Sequence, residues 1–168
     1  GIEKAGELNE YPQNVFLVER VCGICSFMHA MTYCQGIEDL MNIEITPRAK
    51  YLRVFYSELS RVHSHLLWLG LLADAFGFES LFMRYWAIRE KVVDMMEMTG
   101  GHRIILSTCA IGGIRRDITA EQIKIVEQTL QEVRQELDRI TPVVMNDYTV
   151  KKRTVGKGIL TKEEAITY

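Results

Sequence analysis

The stretch TPRAKYLRVFYSELSRVHSHLLWLGLLADAFG, residues 46–77, decides the architecture. It opens with Thr46-Pro47, a capping hydroxyl followed by proline at the first helical position, where a missing N–H costs nothing. Leu52, Phe55, Leu59, Val62, Leu66, Leu69 and Ala73 then recur at alternating steps of three and four, a continuous apolar seam on a helix. The pattern predicts a helix over 47–76 that stops at Gly77, about 45 Å long at roughly 1.5 Å per residue. Beside the seam runs a polar line of Glu58, Arg61 and His65, with Glu58 and Arg61 spaced for an ion pair within the helix.

Working outward, Leu81, Phe82, Tyr85, Trp86, Ile88, Val92 and Met96 predict a second long amphipathic helix over 80–99, ended by Gly100-Gly101. Thr119-Ala120-Glu121-Gln122 fits a capping box, and Ile123, Val126, Leu130, Val133, Leu137 and Ile140 continue a helix over 120–140, terminated at Pro142. Upstream, Met28, Met31, Ile37, Leu40 and Met41 fit one side of a helix over 23–42. The remainder is less decided. Residues 1–10 suit a short helix closed by a Tyr11-Pro12 turn, and Val15-Phe16-Leu17-Val18 suits either a brief strand or a packed approach to the cysteines beyond it. Residues 102–113 read as irregular or briefly extended, and Lys151-Lys152-Arg153 as loop before a short helix started by Thr161-x-x-Glu164. The fold class is therefore mainly α: long antiparallel helices with little or no β structure, no internal repeat, and one unit over residues 1–168.

Composition narrows the function. A formal charge of −2 over 168 residues argues against a polyanion-binding surface, so no nucleic-acid partner is expected. No run approaches the roughly 20 apolar residues of a membrane span. Four cysteines at irregular spacing do not form a secreted disulfide framework, which favours a reducing cytoplasm. Eight methionines suit adaptable packing on other helices or another subunit. Gly1-Ile2-Glu3-Lys4 has no secretory pattern and no initiator methionine, so an excised or processed piece is expected.

The chemistry concentrates in Glu19-Arg20-Val21-Cys22-Gly23-Ile24-Cys25-Ser26-Phe27-Met28-His29. Two thiols three residues apart at a turn entering a helix can close on one metal or on each other. Four uses remain open: a structural zinc site, for which only His29, Cys34 and Cys109 are left as further ligands; a redox dithiol, which lacks its sheet; plain packing; or half of a thiolate site for a transition metal completed elsewhere.

Together with Arg61-Val62-His63-Ser64-His65-Leu66 and Gly112-Gly113-Ile114-Arg115-Arg116-Asp117, this motif resembles the large subunit of nickel-iron hydrogenases. The likeness is to the membrane-bound energy-converting group, the Ech-type, carbon-monoxide-induced and formate-hydrogenlyase enzymes, which is related to the 49-kDa-type subunit of complex I. It covers nearly the whole chain. The resemblance implies Cys22 as a terminal thiolate on nickel and Cys25 as a bridge between nickel and iron. It implies His29 as a hydrogen-bond donor toward the bridging sulfur, and Arg20 as a cation beside negative charge, or else an ordinary helix-end cation. His65 and Arg61 would lie toward the face that meets a small iron-sulfur subunit, with His65 otherwise a satisfied histidine beside the core. Asp117 reads as a helix-start residue, and Cys34 and Cys109 as small buried apolar side chains.

The implied activity is interconversion of H2 with protons and electrons at a Ni-Fe centre, with electrons passing to an iron-sulfur cluster in the partner. The protein would be cytoplasmic, held at the inner face of the membrane by ion-translocating partner subunits. The alternative is a complex-I-like NADH-quinone oxidoreductase subunit of the 49-kDa type without nickel; a free-standing dithiol or zinc module is a third. The chain departs from the hydrogenase pattern in lacking a second Cys-x-x-C after Cys25 and an upstream acidic segment implicated in proton transfer. It therefore reads as an internal fragment, metal-free and inactive by itself, with apolar surface left exposed and prone to self-association.

Overall fold

The longest element is the helix α4, Pro47–Ala75, against which α3, α5 and the second strand of a short hairpin are laid. A computed structural model describes all 168 residues. Before α4 come α1 (Ile2–Gly6), α2 (Tyr11–Val18), a single 3-10 turn (Glu19–Val21) and α3 (Ser26–Met41). After it come α5 (Glu79–Gly100), a two-stranded hairpin of β1 (Cys109–Ala110) and β2 (Gly113–Ile114), α6 (Ala120–Asn146), α7 (Tyr148–Thr154) and α8 (Lys162–Thr167).

The ends of α4 follow from local chemistry. The Thr46 hydroxyl accepts from the Ala49 N–H at 3.2 Å. At the other end Gly77 takes a positive φ of 82°, so that its N–H reaches Asp74 O at 2.7 Å and the Phe78 N–H reaches Ala73 O at 2.9 Å. That paired arrangement closes the last turn and reverses the chain into α5. α5 packs along α4, and α6 packs along α5.

The buried stripe of α4 is Leu52, Tyr56, Leu59, His63, Leu66, Gly70 and Ala73. Phe55, Val62 and Leu69 flank it, partly buried against the same core. α6 contributes Val126, Val133 and Ile140, a seven-residue repeat suited to shallow-angle packing of long helices. Each large side chain removed from water here contributes roughly 1.5–3 kcal/mol. Gly70 sets the closest approach of α4 and α5, since a Cβ there would lie 2.6 Å from Trp86 Cδ1.

A buried polar edge beside this stripe, which includes Arg53, Ser57 and Ser60, orients α3 and the hairpin. Arg53 donates to both carboxylate oxygens of Glu38 on α3, at 2.8 and 2.6 Å, and both residues are buried. Arg53 also donates to Ala110 O at 2.8 Å and Gly113 O at 2.9 Å, while Gly112 N–H donates to Glu38 at 2.7 Å. One buried ion pair thus clamps α3, α4 and the hairpin, whose register pairs Cys109 with Ile114.

The architecture is mainly α, as the periodicity predicts, and the four long helices fall where expected. Four local expectations are corrected. Pro142 does not end α6, which runs to Asn146: Pro142 and Asp138 both lie on the exposed side, where the carbonyl freed by the missing N–H opens to water. Tyr11-Pro12 is no terminating turn but the first turn of α2, proline again being tolerated there, so Val15–Val18 is helical. Lys151-Lys152-Arg153 lie in α7, which Asp147 caps by accepting from Val150 N–H at 2.9 Å. Asp117 is not a cap either; its carboxylate accepts from Arg48 at 2.7 Å, and Thr119 caps α6. α8 begins at Thr161 with a capping box, as read. The surface leaves Tyr51, Val54, Trp68 and Leu71 of α4 exposed.

Candidate metal centre

The cysteine motif sits where α2 breaks into the 3-10 turn and the chain re-enters a helix at Ser26. Cys22 is extended (φ −144°, ψ 127°), and Cys25 occupies the position before α3. The turn points the Ile24 and Cys25 N–H groups at Cys22 Sγ, at 3.4 and 3.5 Å. His29, one helical turn beyond Cys25, brings Nε2 to 3.4 Å from Cys25 Sγ. Ligand atoms of Cys22, Cys25 and His29 all lie within 4.8 Å of one another, and all three side chains are half-buried.

The loop is tied down on both flanks by one segment, residues 104–107. Glu19, fully buried, accepts from Ser107 N–H at 3.1 Å and Ser107 Oγ at 2.7 Å. Ser26 Oγ donates to Ile104 O at 3.2 Å. Ser107 holds a left-handed φ of 51°, unusual for a residue with a side chain, and the double contact with Glu19 is what retains it. Burial pushes the Glu19 carboxyl above its usual range, against the opposing pull of Ser107 and Arg20.

The two thiols differ electrostatically. Backbone N–H groups of Cys25 and Ile24 lower the pKa of Cys22, whereas burial, reinforced by the neighbouring Cys22, raises that of Cys25. Cys22 is thus the more readily ionised and Cys25 the proton-retaining partner of an interacting pair. An anion-stabilising turn, two sulfurs and an imidazole within one coordination radius are a donor set that fits a soft transition metal. Half-burial leaves one side of the cluster open for further ligands.

Of the other residues singled out from sequence, Arg20 is exposed and donates to Phe16 O at 2.7 Å, with Glu19 Oε2 at 3.3 Å, so it closes the end of α2. Arg61 pairs with Glu58 on the outer face of α4, and His65 is exposed on the same line. Neither residue joins the cysteine cluster. Cys34 and Cys109 are fully buried, in mutual contact away from the first pair. Sequence reasoning gives His63 no role, yet it is fully buried and lies beside the backbone of Ile24, inside the cysteine loop. The signal that marks it is helical phase, since His63 stands four residues after Leu59 and three before Leu66 on the buried stripe.

Two family models divide the chain between them. The model for "Nickel-dependent hydrogenase" matches residues 1–74, and that for "Respiratory-chain NADH dehydrogenase, 49 Kd subunit" matches residues 75–168. The chain belongs to the family that joins nickel-dependent hydrogenases to the 49-kDa subunit of respiratory-chain NADH dehydrogenase. Within this family, the membrane-bound hydrogenase subunit alpha of Pyrococcus furiosus is 37% identical over 166 residues, covering 99% of this chain and 39% of that protein. A component of the NADH-quinone oxidoreductase of Bacteroides thetaiotaomicron is 32% identical over 168 residues, covering all of this chain and 32% of that protein. Among solved structures, a chain of the membrane-bound sulfane sulfur reductase, an archaeal respiratory membrane complex, superposes with a TM-score of 0.90 at 25% identity, over 95% of this chain and 43% of its own. The chain thus spans less than half the length of these family members. The hydrogenase model ends one residue before the end of α4, so the cysteine motif and the helix that packs behind it fall on the hydrogenase side of the division. No helix is long and apolar enough to cross a membrane.

Proposed function

We propose that this chain supplies Cys22 and Cys25 to the nickel-iron centre of a hydrogenase that interconverts H2 with protons and electrons. The observation that carries the proposal is the convergence of Cys22, Cys25 and His29 within 4.8 Å in a family whose members include nickel-dependent hydrogenases. When bound, the centre would supply heterolytic cleavage of H2 and a store for its electrons. This chain's own residues would do the rest. Cys22 and Cys25 would hold the metals, the Ile24 and Cys25 N–H groups would stabilise the Cys22 thiolate, and His29 would donate to Cys25 Sγ and tune its basicity. Electrons would pass to an iron-sulfur cluster in a small partner subunit meeting the His65 face of α4. Membrane ion-translocating subunits would hold the assembly at the inner face of the membrane.

The test is the parent protein, matured anaerobically in its complex and assayed for nickel and for H2-dependent dye reduction. Both are expected, and both are expected to vanish in C22S and C25S. A parent with neither would overturn the proposal. The match of residues 75–168 to the 49-kDa model favours one second reading, a complex-I-like subunit without nickel. That reading predicts no nickel and no second Cys-x-x-C pair in the full reading frame.

A further inference from the structure

Beside His63 lies a buried cation without a salt-bridge partner. Arg89 of α5 is 7% exposed, yet it forms no salt bridge, and its Nε has no hydrogen-bond partner. Its guanidinium lies over the Trp86 ring, 5.2 Å from the centroid, and its Nη2 donates to His63 Nε2. A guanidinium can only donate, so His63 Nε2 must be the accepting nitrogen and the ring proton belongs on Nδ1. The imidazole lies beside the backbone of Ile24 and Ser60, and its Nδ1 is buried with no hydrogen-bond partner. A buried N–H left without an acceptor is costly, which drives it toward the nearest carbonyl. The Ile24 carbonyl belongs to the peptide whose N–H, that of Cys25, points at Cys22 Sγ at 3.5 Å.

We propose that Arg89 and His63 are positioning residues for the cysteine loop, with Arg89 fixing the imidazole tautomer so that His63 Nδ1 donates to the Ile24 carbonyl and orients the N–H of the same peptide, that of Cys25, onto Cys22 Sγ. The inference deepens the metal-site reading and rests on it for its role, though not for its geometry. It explains why a cation is kept between α4 and α5 where an apolar side chain would pack at less cost. It also assigns work to a histidine that touches no cysteine. The chain so completed runs guanidinium, imidazole, Ile24–Cys25 peptide, sulfur, its first and last links being those from Arg89 to His63 and from Cys25 N–H to Cys22. Hydrogen bonds aligned in this way polarise one another, so that positive charge at Arg89 strengthens the last donor, the Cys25 N–H.

The experiment compares His63→Leu, His63→Asn, Arg89→Met and wild type in the full-length protein. The first readout is amide hydrogen exchange of the segment spanning Cys22 to Cys25 in the metal-free protein. His63→Leu is expected to speed exchange at Ile24 and Cys25 by about tenfold, the loss of roughly one buried hydrogen bond. His63→Asn, whose amide N–H stands where Nδ1–H stood, is expected to keep the protection, while Arg89→Met, which frees the tautomer, falls between. The second readout is the midpoint potential of the nickel EPR signal in the matured complex, expected to move to more negative values in Arg89→Met. Unchanged exchange in a folded His63→Leu, or equal loss in His63→Asn, would overturn the inference. Should His63→Leu fail to fold, the comparison of Arg89→Met with His63→Asn decides by the same criterion. Absence of nickel from the wild-type parent would sink the hydrogenase reading while leaving the exchange result to stand or fall alone.

Discussion

Replacing Arg53 by methionine tests whether the hairpin and α3 are held by one ion pair. Wild-type Arg53 satisfies both oxygens of Glu38 and the carbonyls of Ala110 and Gly113. Burial alone would raise the Glu38 carboxyl, but the Arg53 hydrogen bonds and the Gly112 N–H outweigh it and hold the group below its usual range. In Arg53→Met the burial remains and the cation is gone, leaving a buried carboxylate with one N–H partner and the Ala110 and Gly113 carbonyls without their Arg53 donors. The expected cost is about 3–5 kcal/mol at pH 7, the range for stripping one partner from a buried pair. For a chain of this size that is a fall in Tm of roughly 6–20 °C. The sign of the pH dependence is part of the prediction. In wild type Glu38 is depressed, so its contribution is present at neutral pH and is lost as the pH falls through its folded value. In Arg53→Met Glu38 is raised, so the folded variant takes up a proton readily and the gap to wild type narrows as the pH drops from 7 to 5. The double variant Glu38→Leu, Arg53→Met is expected to fall short of the summed single costs by about 1–3 kcal/mol. Urea unfolding at pH 7 and pH 5 reads all three quantities. A single-variant cost below about 1 kcal/mol, or additivity within roughly 0.5 kcal/mol, would refute the clamp.

Three further outcomes are expected. Gly70→Ala should destabilise by about 1–3 kcal/mol in thermal unfolding, because its Cβ meets Trp86 Cδ1 at 2.6 Å; a Tm at or above wild type would mean α4 and α5 separate freely. Burial first, then Arg89, push His63 down to about 4, below the roughly 6.5 of an unfolded histidine. Between those values the unfolded chain binds a proton that the folded chain does not, so stability should fall by about 3 kcal/mol from pH 7 to pH 4, and His63→Leu should lack this limb. Thr119→Ala should cost about 1 kcal/mol, since the hydroxyl accepts from Gln122 N–H at 3.2 Å and the capping box is lost with it; an unchanged urea midpoint would show that α6 is held by packing alone.

The features legible in the sequence are periodic or local. α4, α5 and α6 carry three-four repeats with capping or glycine signals, and α4 and α5 form within a residue of their predicted spans, while α6 starts as predicted and runs on through Pro142 to Asn146. The cysteine motif is equally legible, because residues separated by three and four along one turn converge without help from the rest of the fold. Proline is the local signal that misleads twice. Its effect depends on position, harmless in the first turn of α2 and tolerated on the wet side of α6, and sequence alone does not report which side is wet. Contacts between elements are not legible at all. Glu38 and Arg53 meet across two helices, Glu19 and Ser107 across 88 residues, and neither pairing leaves a mark on composition or spacing.

These long-range contacts settle how the cysteine loop is held. Its flanks, Glu19 and Ser26, bind Ser107 and Ile104, and that segment follows directly from the turn that ends α5 at Gly100. A Cβ at Gly100 would lie 2.5 Å from Leu106 Cδ2, so the descent from α5 to this segment is a close-packed corner with little freedom. His63 and Arg89 approach the same loop from α4 and α5. The local turn brings Cys22 and Cys25 together, and the place of that turn in the fold is set by the packing of α4 against α5, the most extensive helix pair in the molecule. A centre that must keep a soft metal between two thiolates through changes of charge gains from that arrangement, because the loop cannot relax around each state without moving the scaffold. His65 stands two residues from His63 on α4, a rotation of about 200°, and is exposed where His63 is buried. One helix thus presents Glu58, Arg61 and His65, with Val54 and Trp68 among them, outward while its inward face packs behind the cysteines, and a partner docking on the first would address the second through rigid helix and not through loop motion.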